Sequence, residues 1–155
     1  MAISDSPQVY LKYVRGGRWA PEYATAGSAA VDLRAVIDEP VTLEPGKEAV
    51  LIPTGIALDF SAHPSMAGLI LPRSGMGHNE GFVLGNTVGL IDSDYQGEIM
   101  VSCTARGPYS VCIQPMQRIA QLCFVSVLRQ PFIVVDEFAG QTDRGAGGFG
   151  NTGKL

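Results

Sequence analysis

Between Gly85 and Gly97 the sequence reads Gly-Asn-Thr-Val-Gly-Leu-Ile-Asp-Ser-Asp-Tyr-Gln-Gly. Gly85 and Gly89 allow backbone to approach a flat ligand closely, Asn86 offers both a donor and an acceptor, and Asp92 and Tyr95 follow within a short stretch. Such a set suits a nucleoside pocket made largely of main chain. Asp92 and Asp94 share one face if the segment is extended, and a carboxylate pair of that kind binds metal or activates water. Glycine-flanked Asp-Ser-Asp is also ordinary turn composition, and that alternative stays open for Asp94.

Four further segments carry polar residues in places where they could meet a ligand. Pro72-Arg73-Ser74-Gly75-Met76-Gly77 follows an apolar run, so a strand delivers Arg73 and Ser74 to a turn whose backbone N–H groups favour phosphate. Taken alone, an Arg-Ser-Gly turn is more often structural. Asp32 lies inside the apolar Ala30-Val31-Asp32-Leu33, and Arg118 and Gln121 flank Ile119-Ala120; each of these reads equally well as a solvated strand residue. Near the end, Asp143-Arg144-Gly145-Ala146-Gly147-Gly148-Phe149-Gly150 mimics dinucleotide and P-loop spacings. Both matches fail, because no strand-to-helix crossover can follow and Asn151 stands where a P-loop needs lysine. What survives is an anion nest of glycine amides beside Arg144, with Phe149 able to stack on a base; a plain glycine-rich terminus is the competing reading.

The chain that must position these residues has 155 residues, a formal charge of −4 and a pI near 5.0. That length suits one domain. The charge balance gives no basic footprint for nucleic acid, although local arginines can still hold a small polyanion. No apolar run approaches the roughly 20 residues that span a bilayer, and the amino terminus lacks a secretory pattern, so a cytoplasmic protein without membrane attachment is expected. Cys103, Cys112 and Cys123 fit no zinc pattern and sit in apolar segments, which predicts buried free thiols. His63 and His78 have no companion at ligand spacing.

Strand-length apolar runs recur between Gly, Pro and Asp punctuation, at 8–15, 30–34, 49–52, 56–60, 66–71, 99–106, 110–113, 119–128 and 132–135. No segment keeps a helical stripe over three turns, so the class expected is an all-β sandwich or barrel with one short helix after Pro72, capped by Ser74. Residues 1–135 would form the β domain. Residues 136–155 would be a mobile glycine-rich tail, roughly 20 residues able to extend about 65 Å to a neighbouring subunit.

In order along the chain, these five segments resemble the five motifs of the trimeric deoxyuridine triphosphatase family. The resemblance covers nearly the whole sequence, and its third and fifth motifs are highly specific. It implies a distorted β jelly roll, assembled as a homotrimer whose active sites are each shared by three subunits. It also implies hydrolysis of dUTP to dUMP and pyrophosphate, limiting dUTP and supplying dUMP for thymidylate synthesis. Asn86, Gly89, the backbone at Leu90 and Ile91, and Met100 would read uracil, and Tyr95 would pack on the deoxyribose. Asp92 would touch the sugar 3′-hydroxyl and act as general base on the attacking water. Arg73, Ser74, Gly75 and Gln121 would cradle the phosphates, while Arg144 clamps the last of them and Phe149 and Gly150 close over the base. The expected cofactor is Mg²⁺, held by triphosphate oxygens and water, with Asp32 reaching it through water. Two positions depart from the family pattern: Ala30 replaces a usual glycine, and Met116-Gln117 replaces the usual Gly-Glu before Arg118. The rival readings are a dCTP deaminase, which shares the fold but activates water with a glutamate, and a non-catalytic module whose tail responds to nucleotide.

Overall fold

The computed structural model describes residues 7–16 and 18–148. Ten strands form two four-stranded sheets and a two-stranded ribbon, all with antiparallel pairing. They are β1 (Tyr10–Tyr13), β2 (Val31–Arg34), β3 (Val41–Leu43), β4 (Val50–Asp59), β5 (Met66–Leu71), β6 (Phe82–Leu84), β7 (Gly89–Ile91), β8 (Glu98–Ala105), β9 (Val111–Ile113) and β10 (Arg118–Ser126). One sheet runs β1-β4-β8-β6, the second runs β2-β10-β5-β7, and β3 pairs with β9. This is an all-β jelly-roll arrangement.

Strict alternation explains the packing of β8. Ile99, Val101, Cys103 and Ala105 point into the core, while Glu98, Met100, Ser102 and Thr104 face outward. Their core partners include Leu33, Ile52, Ile56, Phe60, Phe82, Ile113, Ile119 and Leu122, each at most 1% exposed. Phe60 and Phe124 meet edge to face with centroids 5.3 Å apart.

Several boundaries differ from the sequence expectation. The runs at 49–52 and 56–60 are one bent strand, because the ladder with β8 shifts between Pro53 and Ala57, where Gly55 takes a φ of +72°. Its first half pairs with β8 and its second with β1, with Ala57 also meeting β8 at Glu98, so two short apolar runs serve two neighbours. The three-residue strands β3 and β6 were too short to stand out. The run at 132–135 is no strand: Phe132 and Val134 are 98% and 96% exposed, and the run belongs to none of the three sheets formed by the described residues. The predicted helix is a single π-helical turn, Met76–Glu80, and its cap position is Gly75 with no side-chain cap hydrogen bond, so Ser74 does not cap it. Among the described residues no helix is long and apolar enough to cross a membrane.

The cysteines also correct the prediction. Only Cys103 is buried; Cys123 is half-buried and Cys112 is exposed. Burial pushes the Cys103 thiol up to about 12, which keeps it protonated and inert near neutrality.

Candidate active site

The second sheet builds a row of polar groups across three strands. Asp32 on β2 lies opposite Gln121 on β10, and Gln121 lies opposite Leu71 at the end of β5, so the three are brought to one end of the sheet. Two residues later Arg73 turns back onto this row. Its Nε donates to Asp32 Oδ1 at 2.7 Å, and Gln121 Nε2 donates to the Pro72 carbonyl at 2.9 Å. Asp32, Arg73, Ser74, Gly75 and Gln121 together line a cleft of about 360 Å³. The side chains of Asp32 and Arg73 keep 30% and 28% of their exposure, enough to meet a ligand.

Arg118, which the sequence reads as a solvated strand residue, joins the cluster in the structure. Its Nη1 donates to Asp32 Oδ2 at 3.0 Å, so one carboxylate holds two guanidinium groups. Simple alternation would put residues 118 and 121 on opposite faces of β10. A register shift between Arg118 and Ala120 removes that conflict, and Ile119 and Ala120 are both buried. The sequence marks no such bulge, so only the fold reveals that Arg118 belongs here.

The turn that feeds β10 has its own peculiarity. Met116 takes a φ of +62°, in the left-handed region that favours glycine, within a Pro115-Met116 turn closed by Gln117 N–H donating to the Gln114 carbonyl at 3.1 Å. The residue that departs from the family pattern thus sits where a glycine would be unstrained. Its carbonyl accepts from Arg34 Nη1 at 2.9 Å, which holds the turn against β2.

A second cleft, about 160 Å³, is lined by Leu90, Ile91, Asp92, Tyr95 and Met100. Strand β7 supplies Leu90 and Ile91, and β8 supplies Met100 from its outward face. Tyr95 N–H donates to the Asp92 carbonyl at 3.1 Å, so the connection is a turn. Asp92 and Asp94 therefore do not lie along one extended strand, and Asp94 is not part of the cleft lining. Among the described residues no group of three or more His, Cys, Asp or Glu side chains could hold a metal ion.

Asn86 and Gly89 stand apart from both linings. Asn86 is exposed at a tight turn, where its carbonyl accepts from Val88 N–H at 2.7 Å and Thr87 takes a φ of +62°. Gly85 opens that turn, and a Cβ on it would lie 2.5 Å from both Ala49 Cβ and Ser102 Oγ. Here glycine is required by close approach of β8 and its neighbour rather than by a ligand.

Strand β7 runs antiparallel to β5, with Ile91 opposite Gly68 and Gly89 opposite Ile70. Asp92 therefore leaves the sheet near the start of β5, whereas Arg73 follows its end. Roughly three residues of strand, about 10 Å, separate Gly68 from Leu71, and each cleft lies beyond one of these points. Arg144 lies in neither cleft; its Nε donates to the Gly147 carbonyl at 2.8 Å within a turn that includes Gly145 at a φ of +52°. Phe149 and Gly150 lie outside the described residues.

A family model for dUTPase matches residues 19–153 of this sequence. The chain belongs to the dUTPase family. A deoxyuridine 5′-triphosphate nucleotidohydrolase of Burkholderia ambifaria is 57% identical over 136 residues, covering 88% of this chain and 90% of the relative. One from Burkholderia multivorans shows the same 57% identity over 136 residues. These relatives are hydrolases, and the present chain is an enzyme of that family. Its fold is also that of a dUTPase of Staphylococcus bacteriophage 80alpha bound to dUpNHpp, with a TM-score of 0.80, 24% identity, and coverage of 96% of this chain and 99% of that one. A dUTPase of phage phi11 of S. aureus, described with a structural Mg(II) ion, gives a TM-score of 0.75 at 20% identity, covering 86% and 99%.

Proposed function

We propose that this enzyme hydrolyses dUTP to dUMP and pyrophosphate, and that a complete site combines the two clefts from different copies in a homotrimer. The observation that carries the reading is the division of labour between them. One cleft is lined by apolar side chains with a single carboxylate, Asp92; the other is a cradle of Arg73, Ser74, Gly75 and Gln121. A neutral base and sugar suit the first, and a triphosphate suits the second.

Within the nucleoside cleft, backbone at Leu90 and Ile91 would hydrogen-bond the uracil edge, with Asn86 reaching that edge from its exposed turn outside the lining; Met100 and Tyr95 would pack beside it, and the Tyr95 ring would lie against the deoxyribose. Asp92 accepts a proton from water, whose oxygen forms a bond to the α-phosphorus. The bond from that phosphorus to the bridging oxygen breaks, and pyrophosphate leaves with the electron pair. Arg73 and the backbone amides after it stabilise charge that builds on the phosphate oxygens. Residues 136–155 close the site, with Arg144 on the terminal phosphate and Phe149 over the uracil. Among the described residues Arg144 bonds a carbonyl of its own turn, a neutral partner that it can exchange for an anion.

Magnesium fits this donor set only as an ion carried largely by the substrate, because the described side chains offer no cage. Asp32 would reach it through water: two of its roughly four lone-pair sites accept from Arg73 and Arg118, which leaves others available. When bound, Mg²⁺ offsets triphosphate charge and orders the phosphate chain.

The placement of the two clefts at opposite ends of β5 supports assembly across subunits. So does the run Phe132 to Val135, which the described residues leave uncovered and which copies in a trimer could bury. Hydrolysis in ¹⁸O-labelled water tests the chemistry: label should enter dUMP and not pyrophosphate. Label in pyrophosphate would place the attack on another phosphorus and remove Asp92 from the proposed role.

A further inference from the structure

The packing proposed for Tyr95 on the deoxyribose depends on where its ring lies, and the residue that decides this has no part in the chemistry. A Cβ built on Gly97 would stand 2.5 Å from Tyr95 Oη, 2.7 Å from its Cζ and 3.0 Å from its Cε2. The phenol ring therefore lies across the bare α-carbon of Gly97. Gly97 is not among the residues with positive φ, so alanine is free to adopt its backbone conformation. The three nearest atoms that such a Cβ would meet all belong to the Tyr95 side chain, so the demand for glycine comes from the ring.

The far end of the ring is tied as well. Tyr95 Oη donates to the Glu98 carbonyl at 3.0 Å. That carbonyl belongs to a well-anchored residue, because Glu98 pairs with Ala57 at the start of β8. The Glu98 carboxylate accepts from the Gly55 amide at 2.9 Å and from Arg15 Nε at 2.7 Å. One face of the ring thus rests on Gly97 while its hydroxyl is pinned to a fixed strand, and the ring lines the cleft beside Asp92 and Met100.

We infer that Gly97 is a positioning residue for sugar selectivity: its missing Cβ lets the Tyr95 ring lie down at the place where a ribose 2′-hydroxyl would otherwise fit. This rests on the reading that Tyr95 packs against deoxyribose. A methyl group at position 97 would lift the ring, open space beside the sugar and weaken rejection of UTP.

The test compares Gly97→Ala, Tyr95→Ala and the double variant, reading kcat/KM for dUTP and for UTP together with thermal unfolding. Gly97→Ala should lower the dUTP-to-UTP ratio by roughly tenfold, the range expected when a small steric feature is lost from a pocket. The double variant should match Tyr95→Ala, since Gly97 acts only through the ring. An unchanged ratio in Gly97→Ala, with a lowered one in Tyr95→Ala, would overturn the inference and leave the sugar reading intact. An unchanged ratio in Tyr95→Ala would overturn the sugar reading itself. Should Gly97→Ala fail to fold, the double variant decides: recovery of folding places the clash on the ring, and continued failure contradicts it.

Discussion

The phosphate cradle and the nucleoside cleft are built from opposite materials. In the cradle, Asp32 binds Arg73 and Arg118 at 2.7 and 3.0 Å, and the charges come from strands that meet only through sheet pairing. In the nucleoside cleft the lining spans residues 90–100, its walls are apolar, and its shape is set by backbone turns and by one glycine. Charge binds any polyphosphate with little discrimination, whereas shape and backbone hydrogen bonds separate one base or sugar from another. The proposed function therefore assigns affinity for the phosphates and selectivity for the nucleoside to different parts of the fold, so that each should be open to damage without the other.

The largest effect is expected at the proposed general base. Asp92→Asn should keep nucleotide binding while turnover falls by about 10²–10⁴, as for a lost general base. Binding by calorimetry alongside single-turnover hydrolysis separates the two, and unchanged turnover would return the cleft to a purely recognising role. Next in size is removal of residues from Gly140 onward. The folded core should survive, because residues 128–148 are exposed throughout apart from Gly147. Hydrolysis should fall by roughly a hundredfold as the site stays wet and loses a charge-assisted contact. A truncated chain with full activity would confine catalysis to the two clefts.

A smaller effect belongs to the turn that leads into Arg118. Met116→Gly removes a left-handed strain of about 1–2 kcal/mol and adds about 0.5–1 kcal/mol of chain entropy to the unfolded state, for a net gain of about 1 kcal/mol. Chemical denaturation should show that gain with kcat unchanged. A loss of stability would mean that the Met116 side chain contributes more packing than its strained backbone costs.

How much of this was legible in the sequence follows from the same contrast. The nucleoside cleft was readable because Leu90, Ile91, Asp92, Tyr95 and Met100 are neighbours along the chain, and turn chemistry already limits how they meet. The cradle was readable only through family resemblance. Asp32 and Gln121 on their own read as solvated strand residues, and only the β2-β10-β5 order sets them side by side. Arg118 was not given a role because a bulge, which no local pattern marks, decides which face it occupies. The all-β class came from short punctuated runs. The run at 132–135 misled for the same reason: apolar composition predicts burial, yet no element among the described residues covers it. The single bent strand β4 was split in two because Pro53 and Gly55 look like a turn until two partner strands are seen to need its two halves.

The central claim, that the two clefts meet across subunits, has a direct measurement. Asp92→Asn and Arg73→Ala are purified separately, unfolded, mixed in equal amounts and refolded, and dUTP hydrolysis is compared with each variant alone. Random assembly into trimers should restore about a quarter of wild-type activity, because an intact site then draws Asp92 from one copy and Arg73 from another. A mixture no more active than its parents would place both residues of each site in one chain and contradict the account.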